Sequence, residues 1–245
     1  MKMKLIEKIK LQLRANKYRN KDDQGGIAYI HSVIKKGQTV LDIGAHKAGY
    51  LYFLQKLVGD QGKVYAFEPQ LTLYSYIKKI KRLLKWENVT LEHLALSDSK
   101  GSVTLFIPTN KVSKASAPGA TIVENKIHAN NGKTEKVSTD TLDGYCSHYH
   151  VKPDFLKIDV EGNELKIFQG GMYTLKKYKP KIIVEIEAFH VGREKVLETF
   201  AFMKSLNYKG FAVHGLNRID LNDFSFEKYQ NTNDIKNYCN NFIFE

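Results

Sequence analysis

Between residues 39 and 70, two short apolar runs are separated by a glycine turn and a helical segment, and few folds contain this order of elements. Residues 40–43, apolar except for one acid, break at Gly44; a helical segment follows, and a second apolar run over residues 64–67 ends at Glu68. This pattern predicts a strand, a glycine turn, a helix and a strand, which is the repeating unit of a mostly parallel α/β sheet. Ligands of such sheets bind beyond the carboxyl ends of the strands, so we expect Gly44 and Glu68 to lie side by side there.

The glycine turn and the acid together predict a nucleoside site. Gly44 lets the backbone approach a ligand closely, and the carboxylate of Glu68 can accept hydrogen bonds from both hydroxyls of a ribose. A dinucleotide site would carry G-x-G-x-x-G, but His46 replaces the second glycine and would crowd a pyrophosphate. Asp42 would repel phosphates, whereas it suits the ammonium group of S-adenosylmethionine, whose sulfonium is also cationic. Alternatively, Asp42 only orders the turn through its own backbone.

Five segments in a fixed order carry a resemblance to a known family. They are LDIGAHKAGY at 41–50, FEPQ at 67–70, LALSDSKGSVTLFIP at 94–108, TLD at 141–143 and FLKIDVEGNELKIFQGG at 155–171. Together they resemble the FkbM family of S-adenosylmethionine-dependent methyltransferases. The resemblance implies a class I methyltransferase fold and, most often, methylation of a hydroxyl oxygen on a sugar or another natural-product-like acceptor. Asn163 departs from the histidine that many relatives carry after KIDVEG.

Length and composition fit one domain of this class. The chain has 245 residues and a hydrophobic fraction of 42%, enough for a single core. We expect a doubly wound, mostly parallel sheet with an antiparallel C-terminal strand. A basic helical segment at 1–36 would precede a methyltransferase domain at 37–245. Residues 109–138 show weak periodicity and predict an insertion on the substrate side.

The remaining hydrophobic pattern predicts further strands and helices. Strands are expected at 89–95, 102–107, 154–159, 181–187, 209–214 and 240–245, and helices at 49–58, 71–85, 162–169 and 193–206. This alternation again favours parallel strands joined by helical crossovers.

The sequence gives no sign of membrane targeting. It has no run of 18 apolar residues, and its N-terminus lacks the apolar region of a signal peptide. Cys146 and Cys239 are far apart and lack metal-ligand spacing, which is typical of a reducing compartment. We therefore expect a cytoplasmic protein.

The N-terminal segment is strongly basic. Residues 1–21 carry eight basic side chains against Glu7 alone, so +7 of the chain's net charge of +12 lies there. Leu5, Ile9 and Leu13 recur every four residues, which predicts an amphipathic helix with a narrow apolar stripe. We expect this stripe to pack on the domain or in a homo-oligomer. Attachment to an anionic lipid surface and nucleic-acid binding are alternatives that the sequence favours less.

The resemblance and the predicted strand ends together suggest a cofactor pocket. Leu96, Ser97 and Asp98 follow the third strand, where class I methyltransferases hold the adenine ring, so Ser97 or Asp98 could bind its amine. The same residues also suit a simple turn leading to Gly101. The full predicted cofactor-binding set is Asp42, Gly44, Ala45, His46, Glu68, Pro69, Leu96, Ser97, Asp98 and Asp159.

Side chains at the ends of the fourth and fifth strands are the predicted catalytic group. Asp159 ends the first of these strands and Glu161 lies on the following turn, while the end of the second brings Glu185, Glu187 and His190 to the neighbouring edge. Methyl transfer is an in-line displacement, so an enzyme must align the acceptor and remove its proton, and Asp159 or His190 could be that base. Alternatively, Asp159 and Glu187 could hold Mg²⁺ to orient a diol acceptor. Glu161 could also be only a first-turn acid favoured by the helix dipole.

Three functions remain open at this point. The favoured one is an O-methyltransferase that uses S-adenosylmethionine, with Mg²⁺ as a conditional cofactor. A nicotinamide-dependent oxidoreductase is disfavoured by His46. The main alternative is a methyltransferase-fold module without activity that binds nucleic acid or an anionic surface. The identity of the acceptor is not encoded by the fold.

Overall fold

Alternating strands and helices fill the first half of the chain, as the sequence predicts. The computed structural model describes residues 2–108, 121–122, 132–234 and 236–245. The elements before residue 123 are α1 (Lys2–Lys17), α2 (Gln24–Val33), β1 (Thr39–Ile43), α3 (Leu51–Val58), β2 (Lys63–Phe67), α4 (Leu71–Leu84), β3 (Val89–Glu92), β4 (Ala95–Ser97), β5 (Gly101–Pro108) and β6 (Thr121–Ile122).

The second half continues the alternation and returns to the same sheet. Its elements are β7 (Gly132–Thr141), α5 (Leu142–His148), β8 (Phe155–Ile158), α6 (Glu164–Gln169), α7 (Met172–Tyr178), β9 (Lys181–Glu185), α8 (Ala188–Val191), α9 (Arg193–Ser205), β10 (Gly210–His214), β11 (Asn217–Asp220), α10 (Phe226–Tyr229) and β12 (Asn241–Phe244).

Eight strands form the main sheet in the order β11-β10-β12-β9-β8-β1-β2-β3. Neighbouring strands from β3 to β9 are parallel, whereas β12 is antiparallel to both β9 and β10. This arrangement confirms the predicted mostly parallel sheet with an antiparallel C-terminal strand. Its strand order places the carboxyl ends of β1, β2, β8 and β9 along one edge.

The central strands are apolar because both faces of the sheet are covered. In β1, Val40 belongs to the apolar core on one face, and Leu41 and Ile43 belong to the core on the other. All four residues of β8 are buried. Parallel strands covered on two sides read as nearly continuous apolar runs, which is why their positions could be predicted closely.

A second sheet of four strands, in the order β4-β7-β5-β6, was not predicted. Strands β5 and β7 pair antiparallel from Gly101 opposite Thr139 to Pro108 opposite Gly132. The predicted strand at 89–95 is in fact split: β3 ends at Glu92 in the main sheet, and β4 begins the second sheet. Of the predicted insertion at 109–138, residues 109–120 and 123–131 lie outside the described residues, and residues 132–138 belong to β7.

The N-terminal helix packs on the domain through a face other than the predicted one. Leu11 and Ala15 are fully buried in the core against α3 and α4, whereas Leu5, Ile9 and Leu13 are 59%, 45% and 64% exposed. The prediction that the Leu5, Ile9 and Leu13 stripe packs on the domain is therefore wrong.

Polar contacts fix α1 in this orientation. Glu7 pairs with Lys79 at 3.2 Å, and Arg14 donates a hydrogen bond to the carbonyl of Lys47 at 2.6 Å. After α1, a π-helical turn over Tyr18–Asp22 leads to Asp23, whose carboxylate caps α2 by accepting the amide of Gly26. None of the helices in the described part of the chain is long and apolar enough to span a bilayer.

Candidate active site

A cavity of about 300 Å³ lies at the carboxyl edge of β1, β2 and β8, and is called here the first cavity. Its wall combines apolar side chains such as Phe67 and Leu96 with the backbone of Gly44 and the carboxylates of Glu68 and Asp159. A volume of this size is in the range of small-molecule sites, and a largely apolar wall with a few polar groups is typical of them.

Only glycine fits at the turn that follows β1. Gly44 has a positive φ of 83°, and a Cβ atom there would lie 1.8 Å from the carbonyl oxygen of Asp159. The amides of Gly44 and Ala45 both donate to the carbonyl of Phe67 at 3.0 Å, which ties the turn to the end of β2. The sequence thus folds into a tight cradle where three strand ends meet.

Glu68 is held rigidly by two backbone amides. One carboxylate oxygen accepts the amide of His46 at 2.8 Å, and the other accepts the amide of Gln70 at 2.9 Å. Burial raises the pKa of Glu68 to about 7, although these two hydrogen bonds oppose the rise. Each carboxylate oxygen has a second lone pair, so the group can still accept a hydrogen bond from a ligand.

A buried lysine joins the cradle to the acids behind it. Lys157 donates to the carbonyl of Gly44 at 2.9 Å and to Asp159 at 3.3 Å, and its ammonium lies 3.6 Å from Asp42. Burial alone would lower the pKa of Lys157, but the charges of Asp159 and Asp42 outweigh burial and raise it above its ordinary value. Lys157 is therefore a permanent cation at neutral pH.

Asp42 lies next to this lysine rather than among the residues that line the first cavity. It is completely buried, and neither of its carboxylate oxygens has a hydrogen-bond partner among the described residues. Burial raises its pKa, and the nearby charge of Lys157 opposes the rise. A contact between Asp42 and a cofactor ammonium stays a prediction.

His46 lines the first cavity with a neutral ring. Burial, reinforced by the charge of Lys47, lowers the pKa of His46 to about 4. Its Nε2 atom is buried and has no hydrogen-bond partner in the described part of the chain. Protein atoms cover this nitrogen, so the unmet hydrogen-bonding capacity belongs to the packing of the turn and not to the cavity surface.

The adenine end of the predicted pocket is built differently from the prediction. Asn163 lines the first cavity, and its side-chain amide donates to the carbonyl of Leu96 at 3.0 Å. Ser97 is buried but absent from the cavity wall, and Asp98 is exposed. Of the predicted cofactor-binding set, the residues in the wall are Gly44, His46, Glu68, Pro69, Leu96 and Asp159.

A second cavity of about 220 Å³ adjoins the first. Tyr18, Asp159 and Glu185 line both cavities. The rest of the second wall is mainly polar and includes Asp22, Asp23, Tyr50, Lys157, Asn240 and Asn241. These three shared residues place the two cavities side by side.

Glu185 differs from an ordinary surface carboxylate. Its Oε1 atom accepts a hydrogen bond from Asn240 at 2.8 Å. Burial, followed by the nearby charges of Asp159 and Glu187, raises the pKa of Glu185 well above its usual range. A protonated Glu185 can donate a hydrogen bond as well as accept one.

His190 bridges two acids at the rim of the first cavity. Its Nε2 atom lies 3.0 Å from Glu161 and 3.2 Å from Glu187, and these hydrogen bonds raise the pKa of His190 to about 10. Glu161 lines the first cavity, while Glu187 and His190 do not. An imidazolium has no lone pair for a proton, so this geometry favours Asp159 over His190 as the base.

The described residues give no support to a metal centre. They contain no group of three or more His, Cys, Asp or Glu side chains arranged to hold a metal ion. The two predicted ligands are each paired with a cation instead, Asp159 with Lys157 and Glu187 with His190.

Sequence reasoning missed Tyr18, Lys157 and Asn163. A signal for Lys157 was present, because a lysine interrupts the apolar strand β8 and its register partner on β1 is Asp42. Opposite charges at adjacent positions of two buried strands indicate a buried pair. No comparable signal marks Tyr18, which reaches both cavities only because α1 docks where it does.

Comparison with known proteins gives one family match. The methyltransferase FkbM domain matches residues 42–211. The crystal structure of Methyltransferase FkbM from Methylobacillus flagellatus KT has 15% identity and a TM-score of 0.55, covering 89% of this chain and 50% of that one. The present chain therefore spans half the length of that protein.

A putative O-methyltransferase from Klebsiella pneumoniae has 8% identity and a TM-score of 0.50, covering 96% of this chain and 86% of that one. At these identities both structures support the fold alone. No curated protein matches the sequence.

Proposed function

Since the chain belongs to the FkbM methyltransferase family, we propose that it transfers a methyl group from S-adenosylmethionine to a hydroxyl oxygen of a saccharide or similar small acceptor. The observation that carries this proposal is the junction of the two cavities, where Tyr18, Asp159 and Glu185 belong to both walls. A methyl donor in the first cavity and an acceptor in the second would meet at this junction.

The first cavity fits the cofactor by two features. The turn at Gly44 presents backbone rather than a side chain to the cavity, and Glu68 retains lone pairs for ribose hydroxyls. Leu96 and Asn163 would contact the base. When bound, S-adenosylmethionine supplies an electrophilic methyl group, whose bond to sulfur breaks as the acceptor oxygen bonds to the carbon, leaving S-adenosylhomocysteine.

Asp159 is the proposed general base. Its carboxylate lies at the junction with 28% of the side chain exposed, and Lys157 holds it by a charge-assisted hydrogen bond at 3.3 Å. The proton of the acceptor hydroxyl would move to Asp159 as the oxygen attacks. Glu185 would position the acceptor by donating a hydrogen bond to a neighbouring hydroxyl or ring oxygen.

The second cavity favours an acceptor with several hydroxyl groups. Asp23 accepts a hydrogen bond from the hydroxyl of Tyr50, and the amides of Asn240 and Asn241 add further donors and acceptors. An apolar acceptor would cover the remaining hydrogen-bonding capacity of these groups without replacing their bonds to solvent, which costs free energy. A saccharide ring would satisfy them, so a polyhydroxylated acceptor is preferred.

Coordination of Mg²⁺ by Asp159 and Glu187 is the competing way to activate a hydroxyl. The charges of Lys157 and His190 already neutralise these carboxylates, which supports the metal-free route. Turnover that is unchanged by EDTA would agree with the metal-free route. Activity abolished by EDTA and restored by Mg²⁺ would contradict it.

The test is methyl transfer from labelled S-adenosylmethionine to a panel of saccharides, amines and carboxylic acids. An O-methyl ether resists mild alkali, whereas a methyl ester releases methanol, so product stability identifies the atom that is methylated. Label found only in amines or esters would contradict the proposal. Asp159→Asn should lower kcat by about 10²- to 10⁴-fold with S-adenosylhomocysteine binding retained, while His190→Gln should have a smaller effect.

A further inference from the structure

The solvent face of α1 is apolar in the middle and basic at both sides, and we propose that it docks the protein onto an anionic lipid surface. Leu5, Ile9 and Leu13 point away from the domain, and Ile6 beside them is 51% exposed. This proposal goes beyond the methyltransferase reaction and does not depend on it.

The opposite face of α1 packs on the domain, so the exposed stripe is not needed for that contact. Leu11 and Ala15 are fully buried there. Arg14 adds hydrogen bonds to the Lys47 carbonyl and, at 3.2 Å, to the hydroxyl of Tyr76. These contacts hold the helix with its Leu and Ile stripe facing solvent.

Helical geometry places lysines along both borders of the stripe. With 3.6 residues per turn, Leu5 and Leu13 lie about 40° to either side of Ile9, and Lys8 and Lys10 lie about 100° to either side. Both lysines are exposed. A helix lying in the plane of a bilayer has this arrangement, since its apolar row enters the interface while lysine stems carry their charges up to lipid phosphates.

Charge complementarity favours an anionic lipid over a second copy of this chain. The one acid in α1, Glu7, faces the domain and pairs with Lys79. Two copies that met through this stripe would bring their lysine rows together and repel each other. An anionic bilayer supplies the missing negative charge and also takes up the apolar row.

Nucleic acid fits this surface less well. Phosphates would engage the lysines, but the exposed leucine and isoleucine side chains would gain no partner. Residues 2–17 contain no aromatic side chain on which a base could stack. The combination of an apolar row and flanking lysines is therefore explained best by a lipid surface.

The experiment measures co-sedimentation of the full chain with vesicles of phosphatidylcholine alone and of phosphatidylcholine and phosphatidylserine in equal parts. We expect binding to the anionic vesicles that weakens as salt is raised. The variants Ile9→Ser/Leu13→Ser and Lys8→Gln/Lys10→Gln should each reduce partitioning by roughly tenfold or more, because each removes one of the two attractions.

Matched controls carry the same chemical changes elsewhere on the surface. Leu197→Ser/Leu216→Ser removes two exposed leucines, and Lys195→Gln/Lys204→Gln removes two exposed lysines. Both should bind vesicles like the unmodified chain. All four variants should give the circular dichroism spectrum of the unmodified chain and one cooperative thermal transition, which verifies that they are folded.

Four results would overturn the proposal. The first is equal, weak partitioning of the unmodified chain into both kinds of vesicle, and the second is unchanged binding by both α1 variants. The third is a different partner for the stripe: a dimer that Ile9→Ser/Leu13→Ser dissociates would assign it to a second copy. A gel shift with RNA that the Lys8→Gln/Lys10→Gln variant loses, without vesicle binding, would likewise assign the surface to nucleic acid.

Discussion

At the scale of single residues, Lys157 is the group on which most of the site depends. It contacts the glycine turn and two carboxylates at once, and only 5% of it is exposed. Without this cation, Asp42 and Asp159 would face each other across a buried space with no compensating charge. Lys157 thus makes an acid-rich site compatible with a folded protein.

Replacing this lysine tests that dependence. Lys157→Met should lower the free energy of unfolding by about 3 kcal/mol or more, because it leaves Asp42 buried without a countercharge. Adding Asp42→Asn to Lys157→Met should recover part of the loss, since the uncompensated charge is then gone. Urea unfolding of the two single variants and the double variant measures the coupling. Simple additivity of the two losses would show that the pair does not interact.

Glu68 gives a second prediction at this scale, through its pKa of about 7. A ribose hydroxyl donates to the ionised carboxylate, so affinity for S-adenosylhomocysteine should fall as pH drops through 7, by about tenfold between pH 8 and pH 6. Glu68→Gln should bind more weakly, by about 1.5–3 kcal/mol at pH 8, and should lose this pH dependence. Calorimetry across the pH range measures both, and an unchanged affinity in a folded variant would remove Glu68 from the cofactor site.

The same pKa has a consequence for stability whose sign is opposite to that of most carboxylates. The folded-state pKa of Glu68 is above the ordinary value of 4.5, so its contribution to stability is fully present below pH 4.5. That contribution is lost as pH rises through about 7. Glu68→Gln, which resembles the protonated form, should therefore lack this part of the decline in stability between pH 4.5 and pH 7.

At the scale of elements, the turn between β1 and α3 is the most constrained connection. Gly44 and Gly37 both have a positive φ, of 83° and 86°, but only Gly44 has another backbone atom in the place of a Cβ. A Cβ atom on Gly37 would meet nothing within 4 Å. A side chain at Gly37 would therefore strain only the backbone, whereas a side chain at Gly44 would also collide with a neighbouring strand end.

Alanine at these two positions should have different effects. Gly37→Ala should cost about 1 kcal/mol of stability from strain alone and leave S-adenosylhomocysteine binding intact. Gly44→Ala should cost more and abolish detectable binding, because the new methyl group displaces the backbone of Asp159 at the end of β8. Urea unfolding and calorimetry distinguish the two outcomes. Equal behaviour of the two variants would contradict the close approach of these strands.

Elements with a strong apolar period could be predicted from the sequence, and elements defined by distant partners could not. The predicted helices at 71–85 and 193–206 and the strand at 181–187 end within two residues of α4, α9 and β9. Strand β7 is mostly polar and only two of its ten residues are buried, so its pairing with β5 is set by the register of a long hairpin rather than by its own pattern.

The same limit applies to α1 and to the site. The largest apolar side chains of α1 suggested one packing face, but the small Ala15 and the single Leu11 occupy the buried one. The glycine and the acids of the site could be predicted because they lie at the ends of strands, and the apolar pattern of the sequence identifies those ends. The distance between Lys157 and Asp42 on the neighbouring strand depends on sheet register, and the position of Tyr18 in the walls of both cavities depends on how α1 packs, which no local pattern encodes.

At the scale of the whole molecule, the N-terminal segment contacts the sheet edge at the turn between β1 and α3. Arg14 bonds to the carbonyl of Lys47, and Tyr18 packs so closely on Gly49 that a Cβ atom there would lie 2.6 Å from its ring. Tyr18 also lines both cavities. We therefore expect residues 1–36 and 37–245 to unfold together in one transition rather than as separate units.

Two leucines on the same helix make this expectation testable. Leu11→Ala removes a fully buried side chain and should lower the melting temperature by roughly 5–10 °C, whereas Leu13→Ala, on the exposed face, should change stability by less than about 0.5 kcal/mol. Because α1 also positions Tyr18, Leu11→Ala should weaken S-adenosylhomocysteine binding as well, and Leu13→Ala should not. Calorimetric unfolding should show one transition in both variants. A second, early transition in Leu11→Ala with cofactor binding unchanged would show instead that the N-terminal segment is an independent unit attached to a self-sufficient domain.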